Sequence, residues 1–220
     1  MKIKLVIFDL DGTLLNSIQD IATCTNYALQ QLNQPTHPVE IYKNFVGNGI
    51  YKLFELSLPK AKRSKENINL MHELFTKSYN KHMTDESKPY EGIPELLKEL
   101  HQKGIKIAVA SNKYQAATKH LISHFFPNLP FVAVLGQRQN IETKPNPAII
   151  QEILNISGVT PKQTLYVGDS GVDMQTAINS KTIACGVSWG FRPRQELECY
   201  NPPYIVDNSI ELRELIYTAY

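Results

Sequence analysis

The chain has 220 residues, of which 42% are hydrophobic and 20% are charged, enough for one full core or a core with a small second domain. This composition excludes disordered and fibrous proteins. A formal net charge of +2 provides no large field to attract nucleic acid or an anionic membrane, so we expect neither as a partner.

The apolar runs of the chain are no longer than β-strands. The longest, such as residues 105–110, are far below the roughly 20 residues that cross a bilayer, so we expect no membrane-spanning segment. The first run begins at once and leaves no room for a signal peptide, and we therefore expect a cytoplasmic protein. Cys24, Cys185 and Cys199 are odd in number and widely spaced, which is typical of reduced thiols.

Short β-branched and apolar runs alternate with helical patterns along most of the chain. The predicted strands are residues 4–8, 105–110, 131–135, 164–167, 182–187 and 204–206. The predicted helices that alternate with the later strands are residues 94–103, 114–124, 147–157, 172–180 and 209–217. This alternation predicts βαβ units, and hence an α/β fold whose parallel sheet is covered on both faces.

Residues 16–85 interrupt that alternation, because they contain helical spacing and no convincing strand. The predicted helices there are residues 17–32, 50–58 and 66–83. We therefore expect an α/β core formed by residues 1–15 and 86–220, and an inserted helical cap formed by residues 16–85. The chain would cross between the two parts over the carboxyl ends of strands, where open α/β sheets bind ligands and where a lid can exclude water.

Two carboxylates, Asp9 and Asp11, lie where the first predicted strand ends. Like charges so close together need a cation or a shared proton. Carboxylate and carbonyl oxygens, in small number, suit Mg²⁺. An EF-hand calcium loop does not fit, because position 14 is Leu and the last ligand position is Asp20 instead of Glu.

A second pair of carboxylates, Asp169 and Asp173, follows the predicted strand at residues 164–167. If that strand neighbours the first one, the four carboxylates converge. Asp169 could instead cap the helix that begins near Val172. Because clustered charges without a cation are costly, the two pairs together favour a metal site.

Two other connections between strands and helices offer ligands for an anion. Ser111 and Asn112 supply a hydroxyl and N–H groups just before a predicted helix. Lys144 precedes a helix whose start is marked by Pro147. Taken singly, Ser111 fits an ordinary helix cap and Lys144 a surface lysine, but beside a metal site they predict phosphate binding.

The order of these motifs resembles that of the haloacid dehalogenase superfamily of phosphatases. The matching motifs are Asp9-Leu10-Asp11-Gly12-Thr13, Ser111-Asn112, Lys144-Pro145 and Gly168-Asp169-Ser170 with Asp173. The resemblance covers almost the whole chain. It implies a doubly wound, Rossmann-like sheet of order 5-4-1-2-3, with a helical cap inserted after the first motif.

The resemblance also implies how the reaction would proceed. Asp9 would be the nucleophile that becomes an aspartyl phosphate, and Asp11 the general acid and then the general base. Dehalogenases that displace halide lack an acid two residues after the nucleophile, so Asp11 favours phosphoryl chemistry.

The same resemblance assigns the ligands of the metal and of the phosphate. Mg²⁺ would be held by Asp9, the backbone carbonyl of Asp11 and Asp169, with Asp173 binding through water or supporting the other ligands. The phosphoryl oxygens would be bound by Ser111, Asn112 and Lys144.

Within the family, the chain looks most like the phosphoglycolate phosphatases, whose cap carries a signature similar to Gly47-Asn48-Gly49. Such a turn can bring N–H groups to a substrate carboxylate, or it can simply start a helix. A dinucleotide-binding motif is weaker, because no third glycine follows and no strand precedes the turn. The segment 186–192 is also similar to that subgroup, and we expect Trp189 within it to be structural.

We therefore expect a Mg²⁺-dependent phosphatase whose partner is a small phosphorylated metabolite. The alternatives are a sugar phosphomutase of the β-phosphoglucomutase type or a pyrophosphatase on the same fold. A non-enzymatic phospho-acceptor is a third, although receiver domains lack an acid like Asp11 and a cap. His120 and His124 are four residues apart, and we expect them to be exposed instead of binding metal. No sequence feature indicates an oligomeric state.

Overall fold

The computed structural model describes residues 2–218; residues 1, 219 and 220, which the predicted core includes, lie outside this range. Strands β1 to β8 are Leu5–Phe8, Leu15–Asn16, Lys88–Pro89, Lys106–Tyr114, Ala133–Gln137, Thr164–Gly168, Ile183–Val187 and Tyr204–Val206. Helices α1 to α10 are Ile18–Gln31, Val39–Tyr42, Ile50–Ser57, Lys65–His82, Ile93–Gln102, Gln115–Phe125, Ala148–Ser157, Gly171–Ser180, Arg194–Glu198 and Ser209–Thr218. Short 3₁₀ helices cover Lys60–Lys62 and Pro161–Gln163.

Six strands form one parallel sheet in the order β5-β4-β1-β6-β7-β8. Numbered along the chain without the short β2 and β3, the strands from β7 to β5 have the expected order 5-4-1-2-3, and β8 extends the edge. The predicted doubly wound, Rossmann-like α/β fold is therefore confirmed. The central position of β1 places the residues that follow it between the ends of β4 and β6.

The buried residues of β1 show that both faces of the sheet are covered. Val6 and Phe8 belong to one hydrophobic cluster, whereas Leu5 and Ile7 belong to a second. Successive side chains of a strand point to opposite faces, so the two clusters lie on the two sides of the sheet. A strand buried on both sides requires a continuous apolar run, and this is why residues 5–8 do not alternate between polar and apolar residues.

Helices α1 to α4 lie between β2 and β3 in the chain. Helix α1 packs along α4, and an aromatic cluster connects α3 to α4 through Phe54, Phe75 and Tyr79. Strands β2 and β3 pair in antiparallel fashion, with Leu15 opposite Pro89. The two segments that connect these helices to the sheet therefore run side by side.

One strand end differs from expectation. Strand β4 continues to Tyr114, and its pairing with β5 shifts register between Ala110 and Tyr114. Ser111 and Asn112 therefore belong to the irregular end of a strand, and the alternative in which Ser111 caps the next helix is wrong, since the N-cap of α6 is Tyr114. The other predicted elements match the observed ends to within about two residues.

The lengths of the helices and the state of the cysteines can be compared with the sequence-based expectations. Each helix within residues 2–218 is too short or too polar to span a bilayer. Cys24, Cys185 and Cys199 are all free, as their spacing predicts.

Candidate active site

A cleft of about 680 Å³, part of it open to solvent, lies where the carboxyl ends of β1, β4 and β6 face helices α1, α3 and α4. The polar residues of its sheet side include Asp9, Asp11, Ser111, Asn112, Lys113 and Asp169. Its helical side is mostly apolar and includes Ile21, Ile50, Leu53, Phe75 and Tyr79. Most of the predicted site residues thus gather at one edge of the sheet.

Asp9 follows β1 directly, and its main-chain N–H donates to the carbonyl of Val167 in β6. Its Oδ1 atom lies 2.9 Å from Nζ of Lys144, but it is buried and accepts no hydrogen bond of good geometry from the described residues. Burial raises the pKa of Asp9 to about 7; the charges of Asp173 and Asp11 add to this rise, and Lys144 opposes it.

Lys144 is a buried cation held from several sides. Its Nζ donates to Asp173 Oδ1 at 2.7 Å and to the Tyr166 hydroxyl at 3.0 Å. Burial alone would lower the pKa of Lys144, but Asp173 and Asp9 outweigh it and hold that pKa well above its usual value. The Asn112 side chain bonds to both the N–H and the carbonyl of Lys144. Lys144 therefore presents a fixed positive charge beside Asp9.

Asp173 lies in the first turn of α8, where Ser170 forms a reciprocal cap with it. Ser170 thus caps this helix, and the alternative in which Asp169 is the cap is wrong. The Asp169 carboxylate instead accepts the N–H of Phe191 at 2.7 Å. Burial raises the pKa of Asp169 well above its usual value, and the charges of Asp173 and Asp9 add to this effect.

Asp9, Asp169 and Asp173 could hold a metal ion, since each offers one carboxylate oxygen and these oxygens lie within 4.8 Å of one another. Two observations show that the set fits a cation. Asp9 Oδ1 is buried and accepts no hydrogen bond of good geometry within residues 2–218, and burial raises the pKa values of Asp9 and Asp169 despite the charge of Lys144. Buried oxygen donors of this kind suit a hard divalent cation.

The side chain of Asp11 lies apart from that set. It accepts a hydrogen bond of 2.5 Å from the Ser17 hydroxyl, and Nζ of Lys113 donates to both of its oxygens at 2.9 and 3.0 Å. The Lys113 ammonium also lies 4.8 Å from the centre of the Tyr79 ring in α4. Asp11 therefore lies between the sheet and the inserted helices.

The loop before α3 also reaches the cleft. Gly47 and Gly49 line it with positive φ angles of 117° and 84°, whereas Asn48 is exposed. Arg192 donates to the carbonyl of Val46 at 3.0 Å, and Asn112 donates to the carbonyl of Gly47 at 2.9 Å. This loop is thus attached to the edge of the sheet by hydrogen bonds to its main chain.

Several residues at the site carry no sequence signal of their own. Lys113 and Ser17 are residue types that are common on surfaces, and only the fold brings them to the cleft, whereas Arg192 ends the segment 186–192 that the resemblance covers. The Lys113 N–H donates to the buried Ser111 hydroxyl. The sequence indicates Lys113 only through its position directly after the predicted site residues Ser111 and Asn112. Trp189 donates to the carbonyl of Thr13, and it thereby joins two loops at the edge of the sheet.

His120 and His124 are both exposed on α6, and their rings stack with centroids 6.3 Å apart. Among residues 2–218 they belong to no group of side chains that could hold a metal ion.

Comparisons with known proteins find relatives that match almost the whole chain. The family model described as haloacid dehalogenase-like hydrolase matches residues 6–187. The chain is similar to a phosphoglycolate phosphatase of Vibrio parahaemolyticus, with 31% identity over 97% of this chain and 96% of that protein. It is 30% identical to a phosphoglycolate phosphatase of Haemophilus influenzae, over 97% of this chain and 98% of that protein. A crystal structure from Lactobacillus delbrueckii subsp. bulgaricus, of a protein proposed to be a phosphoglycolate phosphatase, superposes with a TM-score of 0.92 at 34% identity, covering 98% of this chain and 99% of that chain.

Proposed function

The chain belongs to the haloacid dehalogenase-like hydrolase family, and on that premise we propose that it is a phosphatase acting on a small phosphorylated metabolite such as phosphoglycolate. Relatives that match almost the whole chain are named phosphoglycolate phosphatases, which supports this substrate. In this proposal residues 16–85 form the cap, and residues 1–15 and 86–220 form the catalytic core.

The observation that carries the proposal is the state of the Asp9 carboxylate. Its Oδ1 atom is buried, accepts no hydrogen bond of good geometry from the described residues and lies 2.9 Å from a fixed ammonium. An oxygen without such a bond keeps its lone pairs for a nucleophilic attack, and the adjacent cation attracts a phosphate to it. Asp9 is therefore assigned as the nucleophile.

The reaction then has two steps. An Asp9 oxygen bonds to phosphorus while the bond from phosphorus to the leaving oxygen breaks, and Asp11 gives that oxygen a proton. In the second step Asp11 takes a proton from water, whose oxygen attacks the phosphorus and releases inorganic phosphate from Asp9. Asp11 must exchange its contact with Lys113 to face the leaving oxygen.

The phosphoryl oxygens would be bound by Lys144 and Ser111. Because Asp173, Tyr166 and Asn112 already hold Lys144, its charge needs no reorganisation when phosphate binds. The Asn112 side chain already forms hydrogen bonds with Lys144 and Gly47. Asn112 would therefore contact the phosphate through its main chain.

Mg²⁺ would be held by Asp9, the backbone carbonyl of Asp11 and Asp169, and when bound it supplies positive charge that offsets the charge of the phosphoryl group. Both Asp173 oxygens already accept hydrogen bonds, from Lys144 and Tyr166 on one side and from Ser170 on the other. Asp173 would therefore support the other ligands of the metal instead of binding it directly. The loop of Gly47, Asn48 and Gly49 is assigned to contacts with the substrate.

The proposal is tested by measuring inorganic phosphate released from phosphoglycolate in the presence and absence of Mg²⁺. Asp9→Asn keeps the shape of the side chain but removes the nucleophile, so kcat should fall by at least about 10³-fold. Asp85→Asn, on an exposed carboxylate, is the matched control and should leave kcat unchanged. Activity retained by the Asp9 variant would rule out this nucleophile.

A panel of substrates separates the proposal from its alternatives. Comparing phosphoglycolate, sugar phosphates and pyrophosphate by kcat/KM should place phosphoglycolate first. A mutase would return the phosphoryl group to a sugar phosphate instead of releasing it, and a pyrophosphatase would favour pyrophosphate.

A further inference from the structure

The cleft contains a second buried ammonium that the proposed reaction leaves without a task. The side chain of Lys113 is 7% exposed, and its Nζ donates to both oxygens of Asp11. Lys144 already provides the cation beside Asp9. A buried ammonium needs a partner, so when Asp11 turns to the leaving oxygen Lys113 requires another acceptor.

Tyr79, in α4, lies beside Lys113 and carries a second hydrogen-bond donor. The ring lies 4.8 Å from Nζ of Lys113, and the fully buried hydroxyl has no hydrogen-bond partner within residues 2–218. Burial raises the pKa of Tyr79 well above its usual value, with a further contribution from Asp11, so the O–H remains a donor. Buried hydroxyls are nearly always hydrogen-bonded, and an acceptor is therefore expected beside this one.

The surroundings restrict what that acceptor is. Ile21, Leu53 and Phe75 line the same cleft and offer no charged or hydrogen-bonding side-chain group. An ammonium and a phenol O–H within an apolar wall suit a compact anion with two acceptor oxygens. A carboxylate has this shape and fits beside a site for a phosphoryl group.

We propose that Lys113 and Tyr79 bind a carboxylate at the end of the substrate opposite its phosphoryl group, so that the enzyme selects small phosphorylated acids. This inference rests on the proposed function. The motifs assign residues to the phosphoryl group and the metal, and the inference assigns residues to the opposite end of the substrate. Lys113 moves its hydrogen bonds from Asp11 to the incoming carboxylate, and Asp11 keeps its bond to Ser17.

The exchange explains how recognition and chemistry are linked. A substrate with a carboxylate gives Lys113 another acceptor, and Asp11 is then free to face the leaving oxygen. A phosphate ester without a carboxylate gives Lys113 no such acceptor, so Asp11 remains paired with the ammonium. Selectivity should therefore be seen in kcat as well as in KM.

The test compares ligands that differ only in the carboxylate. The first pair is 3-phosphonopropionate and propylphosphonate, which cannot be hydrolysed and whose dissociation constants are measured by calorimetry with Mg²⁺. The second pair is phosphoglycolate and ethyl phosphate, compared by kcat/KM. The variants are Lys113→Met and Tyr79→Phe, and the controls are Lys162→Met and Tyr27→Phe, which change exposed residues.

The wild-type protein should prefer the carboxylate-bearing member of each pair. Lys113→Met should reduce both preferences at least about tenfold, because a hydrogen bond to a charged group is lost. Tyr79→Phe retains the packed ring and should reduce them about threefold or more, and neither control should change them. If Lys113→Met fails to fold, Tyr79→Phe decides the outcome.

Three results would overturn the proposal while leaving the phosphatase intact. These are equal binding of the two phosphonates by the wild type, a full preference in both variants, or an equal loss of activity on both substrates in Lys113→Met. Failure of the wild type to release phosphate from either substrate would overturn the proposed function instead. The phosphonate preference needs no turnover, so its loss in the variants would still support the subsite and its persistence would still overturn it.

Discussion

Asp20, in the first turn of α1, accepts two hydrogen bonds from Ser87, one from its N–H at 2.8 Å and one from its hydroxyl at 2.6 Å. The N–H of Glu86 donates to the same carboxylate at 3.0 Å. Asp20 lies at the start of α1, directly after the first of the two connections between the helices and the sheet, and Ser87 lies on the second connection. The hydrogen bonds of one buried carboxylate therefore link the two connections.

Replacing Asp20 with Asn should destabilise the protein. The amide nitrogen of Asn is a donor and would face the N–H groups that now bond to the carboxylate, so the free energy of unfolding should fall by about 2–4 kcal/mol. Urea unfolding measures this change. Asp85→Asn is the control, because Asp85 is exposed and its carboxylate pairs with the exposed His82. Equal effects of the two variants would contradict the role given to Asp20.

The stability of the metal-free protein should fall as the pH rises from about 5 to about 7. The Asp9 carboxyl has a pKa of about 7 when folded against 3.8 as a reference, because burial disfavours its charge. In this window the folded state keeps a proton that the unfolded state has lost, so raising the pH favours unfolding. The loss attributable to Asp9 should be about 2–3 kcal/mol and should level off above the folded pKa.

Urea unfolding with a metal chelator at several pH values measures that loss. In Asp9→Asn the titrating group is absent, so its free energy of unfolding should change less with pH than that of the wild type, by the amount attributed to Asp9. Added Mg²⁺ should stabilise the wild type more at high pH, where the carboxylates are ionised. A wild-type curve that rises through this window relative to the variant would contradict the raised pKa.

The sequence predicts the sheet well because its strands are apolar on both faces and end in polar turns. It does not predict β2 and β3, since strands of two residues have no period to detect. It also stops β4 at Ala110, because the following residues are polar and face the cleft at a shift in register. Chain segments whose residues serve a site lose the pattern that marks secondary structure.

The same reasoning applies to the candidate site. Asp9 and Lys144 are recognisable because they stand in an ordered set of motifs at strand ends. Lys113 and Tyr79 are not, since one is a lysine after a strand and the other an aromatic residue with helical spacing. Their proximity depends on how α4 packs over β4, and a single sequence contains no measure of that distance.

Arg192 should control how firmly the loop before α3 is attached to the sheet. It donates to the main-chain carbonyls of Val46 and Asn44 at 3.0 and 3.3 Å. Because these acceptors belong to the main chain, the two bonds depend on Arg192 and not on the side chains of the loop. In Arg192→Ala, hydrogen exchange across residues 44–50 should be about tenfold faster, and KM should rise. Arg194→Ala is the control, because Arg194 is exposed and pairs with Glu198 and Asp207. Unchanged exchange in Arg192→Ala would show that the loop is held by other contacts.

The absence of a side chain at Gly190 should be necessary for the metal site. A Cβ atom added there would collide with the side chain of Asp169 and lie 2.5 Å from the carbonyl of Gly12, so Asp169 would have to move. Gly190→Ala should therefore weaken Mg²⁺ binding about tenfold or more, as is usual when a ligand loses its support. Gly186→Ala is the control, because its Cβ would meet Leu197 at 3.1 Å and no carboxylate. Calorimetric titration of both variants with Mg²⁺ measures the effect, and equal affinities would show that Asp169 does not depend on the space left by Gly190.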